Sequence, residues 1–236
     1  MSGWVPKRFW KEASVRVAEG GFEVVLDGRT VKTPAKAALI VPTRAMAEAI
    51  AAEWDAQEEK INPATMPVTR GANAAIDKVR TQHAEVAFLI AEYGGTDLLC
   101  YRAEKPEELV ARQSDAWEPL LTWAREVFGV DMLVTAGVLP VAQPEATLAR
   151  LHQEVAALDP FHLAALHDLV GLTGSLVLGL AVANGRLDAA TAWDLSRIEE
   201  NWQIEHWGED EEDAEAVGKK RDALLAAERF WLLLSA

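Results

Sequence analysis

Residues 14–28 read SVRVAEGGFEVVLDG, and their alternation decides how the N-terminal part folds. Val15 and Val17 alternate with Ser14 and Arg16; Phe22, Val24 and Leu26 then alternate with Glu23 and Asp27. A period of two turns one set of side chains toward a core and the other toward water, the pattern of half-buried strands. Gly20-Gly21 separates the runs, and the second ends at Asp27-Gly28, a pair that readily takes the positive φ angles of a tight hairpin turn. Shorter runs follow at 29–32 and 38–41, broken by Pro34 and Pro42, so the spacing predicts a small antiparallel meander over 14–42. Four short strands bury too little by themselves and need a helix against one face. The segment 44–60 supplies one, because Met46, Ile50 and Trp54 recur every four residues as an apolar stripe. Two prolines in INPATMP (61–67) predict an extended connection.

Beyond that connection the chain reads as helix throughout. Helices are predicted over 70–92, ending at Gly94-Gly95, and from Pro106-Glu107-Glu108 to Phe128, with Pro119 expected to break or kink the second. Others follow Pro144, run from Asp159-Pro160 to Asn184-Gly185, from Asp188 to Trp207, and over roughly 210–234. Residues 169–183 carry no charge, but a membrane-spanning helix needs about 20 such residues, so a buried central helix is the reading. The fold class is therefore α+β. A small N-terminal antiparallel β domain with a packed helix occupies 1–66, and a larger all-helical C-terminal domain occupies 67–236.

Charge divides the same way. The 236 residues hold 23 Lys/Arg and 37 Asp/Glu, a formal net charge of −14. Residues 1–64 are neutral, so the helical part carries the whole excess. Such acidity argues against a nucleic-acid backbone or an anionic membrane surface as partner, and no integral membrane segment is expected. One cysteine, Cys100, precludes an intrachain disulfide, and its apolar neighbours Leu98, Leu99 and Tyr101 mark a packed core thiol. The opening MSGWVPKRFWKEASV has no signal-peptide core, so a soluble protein of a reducing compartment is expected.

Catalytic chemistry is hard to find. Gly94-Gly95-Thr96-Asp97 follows a helix and lacks the lysine of a phosphate loop. His162 and His167 are five apart, off the i, i+4 spacing of a helical metal pair. A di-iron helix needs glutamate three residues before His206, where Gln203 stands. No catalytic residue, metal or cofactor is expected. Nine tryptophans beside uncompensated acid point instead to a protein-binding surface, or to plain core packing.

An ordered set of motifs goes further. Arg8-Phe9-Trp10, Gly20-Gly21-Phe22-Glu23-Val24, Leu26-Asp27-Gly28-Arg29, Lys32-Thr33-Pro34 and Ala52-Glu53-Trp54-Asp55 come first. Thr65-Met66-Pro67, Thr69-Arg70, and Ala72-Asn73-Ala74-Ala75-Ile76-Asp77 follow. Thr96-Asp97-Leu98-Leu99-Cys100-Tyr101-Arg102, Trp117-Glu118-Pro119, Leu195-Ser196-Arg197-Ile198-Glu199-Glu200, Gln203 and Trp207-Gly208 complete it. In this order they resemble the ATP-twelve chaperone family, assembly chaperones of the F-type ATP synthase. Gly71, where a larger apolar residue is usual, and Trp10, where tyrosine is common, depart from the pattern, and the acidic run 209–213 is longer.

The resemblance implies a non-enzymatic chaperone, a bacterial member acting in the cytoplasm without the transit peptide of mitochondrial relatives. It would shield the unassembled alpha subunit of the catalytic head until that subunit pairs with beta. The protein is expected to be monomeric when free. Partner-binding residues are expected on the 188–207 helix, namely Glu199, Glu200, Gln203, Trp202 and Trp207, with one of the two glutamates as polar hot spot. Phe9, Gly21, Phe22, Trp54 and Asp77 are expected to be structural. The alternatives are an acidic adaptor for another protein, an enzyme of unrecognised chemistry, or, for one of the glutamates, an internal tie to an arginine of its own domain.

Overall fold

The computed structural model describes residues 7–137, 139–208 and 211–235. Two compact units emerge, built from the described residues of Met1–His83, Asp159–Ala165 and Arg229–Ala236, and of Ala84–Leu158 and Leu166–Glu228.

In the first unit, β1 (Ala13–Ala18) and β2 (Gly21–Leu26) form the antiparallel hairpin expected from the alternation, with Val15 opposite Val24 and Val17 opposite Phe22. Asp27 and Gly28 take φ of 47° and 80° and turn the chain into β3 (Arg29–Thr30). The fourth strand departs from a meander: β4 (Ile40–Val41) returns to β2, pairing Val41 with Phe22 and Ile40 with Glu23. Gly21 makes that return possible, since its φ is 150° and a Cβ there would lie 2.2 Å from the Val41 carbonyl oxygen.

Helix α1 (Arg44–Asp55) begins at Thr43, whose side chain accepts from Met46 N–H, and ends five residues earlier than the sequence pattern suggests. Its stripe lies on the sheet: Met46 and Ile50 are fully buried with Val24, Leu26, Leu39 and Val41, while half-buried Trp54 packs beside Trp10. Burying each such aliphatic side chain stabilises the fold by about 1.5–3 kcal/mol before entropy is counted.

The helix expected over 70–92 divides. It comprises α2 (Pro67–Ala74), a π turn at Ala75–Val79, and α3 (His83–Ala91). Glu53 of α1, buried, holds the start of α2: its carboxylate accepts from Val68 N–H, Thr69 N–H and the Thr69 hydroxyl at 2.7, 2.8 and 2.7 Å. Those N–H groups have no partner inside their own helix, so a carboxylate there satisfies them and opposes the helix dipole favourably.

The second unit is mainly helical. A parallel pair of short strands, β5 (Tyr101–Arg102) and β6 (Thr135–Ala136), was not foreseen. Helix α4 (Glu107–Phe128) runs through Pro119 without ending, anchored by buried Trp117, Leu120 and Leu121, and stops at Gly129 with φ of 69°. It is followed by α5 (Glu145–Ala156).

The single helix expected from 160 to 184 is two, α6 (Pro160–Thr173) and α7 (Leu176–Ala183), separated by Gly174 with φ of 69°. Every residue from Leu176 to Val182 is buried, as the missing charge implied. Asp97, fully buried, receives Leu99 N–H, Val177 N–H and the Ser175 hydroxyl, and so fixes the N-terminus of α7.

The helix expected from 188 to 207 is also two. Helix α8 (Ala189–Ser196), capped by Asp188, meets α9 (Ile198–Trp207) at Arg197, whose φ of −116° and ψ of 23° interrupt the helix. Helix α10 (Glu211–Leu234) ends the chain. Glu209 and Asp210 of the acidic run lie outside the described residues, as do the side chains of 211–213. No helix among the described residues is long and apolar enough to cross a membrane.

Candidate functional site

The expected partner-binding residues fall on α9, and the helix sorts them. Glu199, Gln203 and Trp207 are separated by four residues each, so they share one face, with Glu200 beside it. All four are exposed, and Trp207 is 78% exposed. Glu199 has no ion-pair partner among the described residues. Among the described residues Glu200 meets only Arg197 of its own helix start, at 3.7 Å.

Trp202 lies apart from that face. It is half-buried, with the Arg112 guanidinium 4.9 Å from its ring centroid and the His206 ring stacked on it at 4.3 Å. A second, longer-range acid–arginine tie runs through another residue: Glu205 grips the Arg112 fork from α4 with 2.8 and 3.0 Å bonds. Those bonds hold the Glu205 carboxyl below its ordinary pKa. Glu205 anchors the helix, while Glu199 keeps no ion-pair partner among the described residues and Glu200 meets Arg197. Sequence spacing gave no signal for the pairing, because Arg112 lies in a distant helix.

Motif residues build the support behind this face. Buried Trp117 donates its indole N–H to the Leu195 carbonyl at 2.9 Å, which fixes α8 against α4. Arg197 lies over the Trp193 ring at 5.2 Å. Arg102, also buried, donates to the Leu99 and Gln113 carbonyls and meets Glu118 at 3.2 Å. Cys100 is buried and free, and desolvation pushes its thiol up to about 12, as a core thiol requires.

The residues expected to be structural sit in the first unit. Gly21 and Phe22 lie in the hairpin, Trp54 contacts Trp10 edge-on at 5.2 Å, and Asp77 accepts the Ala35 N–H at 3.0 Å. Phe9 is 64% exposed and touches the Trp10 ring edge-on. Sequence reasoning missed Glu53 and the depth of Asp97, whose carboxyl burial holds above its ordinary pKa despite its donors.

Chemically, the α9 face offers acceptors and an aromatic plane, with no nucleophile held against a base. Among the described residues no group of three or more His, Cys, Asp or Glu is placed to hold a metal.

The family described as ATP12 chaperone protein matches residues 7–125. This chain belongs to the ATP12 chaperone family. A curated relative, the mitochondrial protein atp12 of Schizosaccharomyces pombe, is 27% identical over 214 residues, 86% of this chain and 74% of the relative. The crystal structure of Atp12 from Paracoccus denitrificans is similar over 97% of this chain and 98% of its own, with 50% identity and a TM-score of 0.94. The Atu1473 protein of Agrobacterium tumefaciens is 43% identical over 98% of this chain and 87% of its own, with a TM-score of 0.93. The match to residues 7–125 stops before α8, so the likeness of this ATP12-family chain across α8 and α9 comes from the Schizosaccharomyces pombe relative and the solved structures.

Proposed function

We propose that this chain, a chaperone in ATP synthase assembly by its family, holds the unassembled alpha subunit of the F-type catalytic head until beta displaces it. It acts as a stoichiometric binder without catalysis or cofactor, as a monomer, in the bacterial cytoplasm. An alpha subunit without its partner exposes the surface it later buries, and exposed apolar surface aggregates. A binder for such a surface needs aromatic anchors and oriented charge more than a catalytic pocket.

One observation carries the placement of the contact on α9. Glu199 and Glu200 stand with Gln203 and exposed Trp207 on one helix face, while Glu205, Arg112 and Trp202 secure the helix from behind. A carboxylate free of internal partners is available to a basic residue of a client. Losing one member of a desolvated interfacial pair costs about 2–5 kcal/mol of binding.

The test is capture of purified alpha subunit by Glu199→Gln and Glu200→Gln. Both variants should keep the wild-type thermal midpoint, because neither side chain holds the fold, and at least one should capture alpha more weakly. Normal capture by both moves the contact away from α9. Wild-type protein that ignores alpha but retains another protein from cells would favour the adaptor reading.

A further inference from the structure

Helix α3 is apolar on two faces, and only one of them is covered. Ala87, Ile90 and Ala91 are buried, as an amphipathic helix requires. Phe88 and Leu89, on the opposite side, are 52% and 55% exposed, and Tyr93, one turn beyond Leu89, is 37% exposed. Together they present on the order of 300 Å² of mostly apolar area, as large as the patches that ordinary monomers expose and that are often functional. The Phe88 ring lies edge-on to His152 of α5 at 6.4 Å, and the Tyr93 hydroxyl lies 3.9 Å from where a Cβ on exposed Gly171 of α6 would stand. The patch thus sits on three fixed helices.

The formal charge on α3 itself has one sign. Glu85 lies one turn before Phe88 and Leu89, and Glu92 one turn after. Both are exposed, and neither has an ion-pair partner among the described residues. Residues 84–101 contain no lysine or arginine. Asp168 of α6 is already engaged by His167. An apolar strip between two uncompensated carboxylates complements an apolar surface flanked by lysine or arginine.

We infer that the outer face of α3 and of the turn after it, Phe88, Leu89 and Tyr93 flanked by Glu85 and Glu92, is a second client-docking surface for an apolar patch of the alpha subunit flanked by basic residues. This rests on the proposed alpha-subunit function and adds a surface distinct from α9. The apolar residues supply affinity and slow release; the two glutamates set register and speed encounter. Desolvated aromatic and aliphatic anchors carry most of the energy of such contacts.

The probe is the purified alpha subunit, titrated against the full chain. Phe88→Ser/Leu89→Ser should weaken capture at least about tenfold, the equivalent of roughly 1.4 kcal/mol. Glu85→Lys/Glu92→Lys should weaken it too and reduce its dependence on salt. Both variants should keep the wild-type circular dichroism and thermal midpoint, since the altered side chains are exposed; Ile90→Ser, on the inner face, should lower the midpoint. Normal capture by both exposed-face variants overturns the inference while leaving the alpha-subunit function standing. Failure of the wild type to capture alpha refutes that function, and the inference with it. If light scattering finds a wild-type dimer that Phe88→Ser/Leu89→Ser turns into a monomer with unchanged capture, a second copy covers this face and the inference is wrong.

Discussion

Replacing Glu53 by alanine should be among the costliest single substitutions in the first unit. Its carboxylate closes three buried donors at once, the Val68 and Thr69 amides and the Thr69 hydroxyl, all at 2.7–2.8 Å. A buried donor left without a partner costs about 1–3 kcal/mol, and partial relaxation over three donors leaves roughly 3–5 kcal/mol. Domains of this kind are stable by only about 5–15 kcal/mol, so the unfolding midpoint in urea should fall far. Glu53→Gln separates charge from geometry. Its amide oxygen can still accept from Thr69, but its NH₂ cannot accept from Val68, so about 1–3 kcal/mol should be lost. Thr69→Val removes only the hydroxyl bond and should cost about 1 kcal/mol. The assay is urea unfolding followed by near-ultraviolet circular dichroism, with a double-mutant cycle between positions 53 and 69. Glu53→Ala within about 1 kcal/mol of wild type would refute the reasoning, because water would then be satisfying the helix start.

Asp97→Ala should likewise cost roughly 3–5 kcal/mol, read by urea unfolding, because it strands the Leu99, Ser175 and Val177 donors at the buried start of α7. Burial raises the Asp97 pKa above 3.8, so its stabilising contribution is complete below that value and fades as pH rises through the folded pKa. The stability of wild type relative to Asp97→Asn, whose side chain does not titrate, should therefore fall from acid toward neutral pH. His167 is held above 6.5 by its 2.9 Å bond to Asp168, so its contribution is present below 6.5 and lost as pH rises through the folded pKa. A nuclear magnetic resonance titration should place its midpoint above 6.5 in wild type and lower it in Asp168→Asn.

The hairpin was legible because its information is local. Strand alternation and the Asp27-Gly28 turn involve neighbours in sequence, and the backbone took the positive φ angles that pair favours. The α1 stripe and the buried α7 were legible for the same reason. Helix breaks were less so. Nothing in Leu195-Ser196-Arg197-Ile198 is a breaker by composition, and the interruption at Arg197 accompanies long-range ties, Trp117 to Leu195 and Arg112 to Glu205. Gly71 looked out of place until packing explained it: a Cβ there would lie 2.6 Å from the Phe230 ring. The candidate site was half legible. The spacing put the proposed contact residues on one helix but could not tell outward Trp207 from inward Trp202, because that depends on which face α4 covers.

The distribution of buried and exposed acid gives the functional reading its physical basis. Glu53, Asp97 and Glu205 each have partners that account for them: backbone donors of a helix start for the first two, a bidentate arginine for the third. Folding selects the two buried ones, Glu53 and Asp97, since an unpartnered buried charge is too costly to keep. Glu85, Glu92 and Glu199 have no ion-pair partner among the described residues, yet each lies within a turn or two of a large exposed side chain, Phe88, Leu89 or Trp207. Stability alone gains nothing from that juxtaposition, because a surface charge beside an exposed ring neither pairs nor packs. Association gains from both halves at once: the ring gives up water and the carboxylate finds a cation. Charge left over from folding, next to apolar area left over from packing, is therefore the place to look for a client.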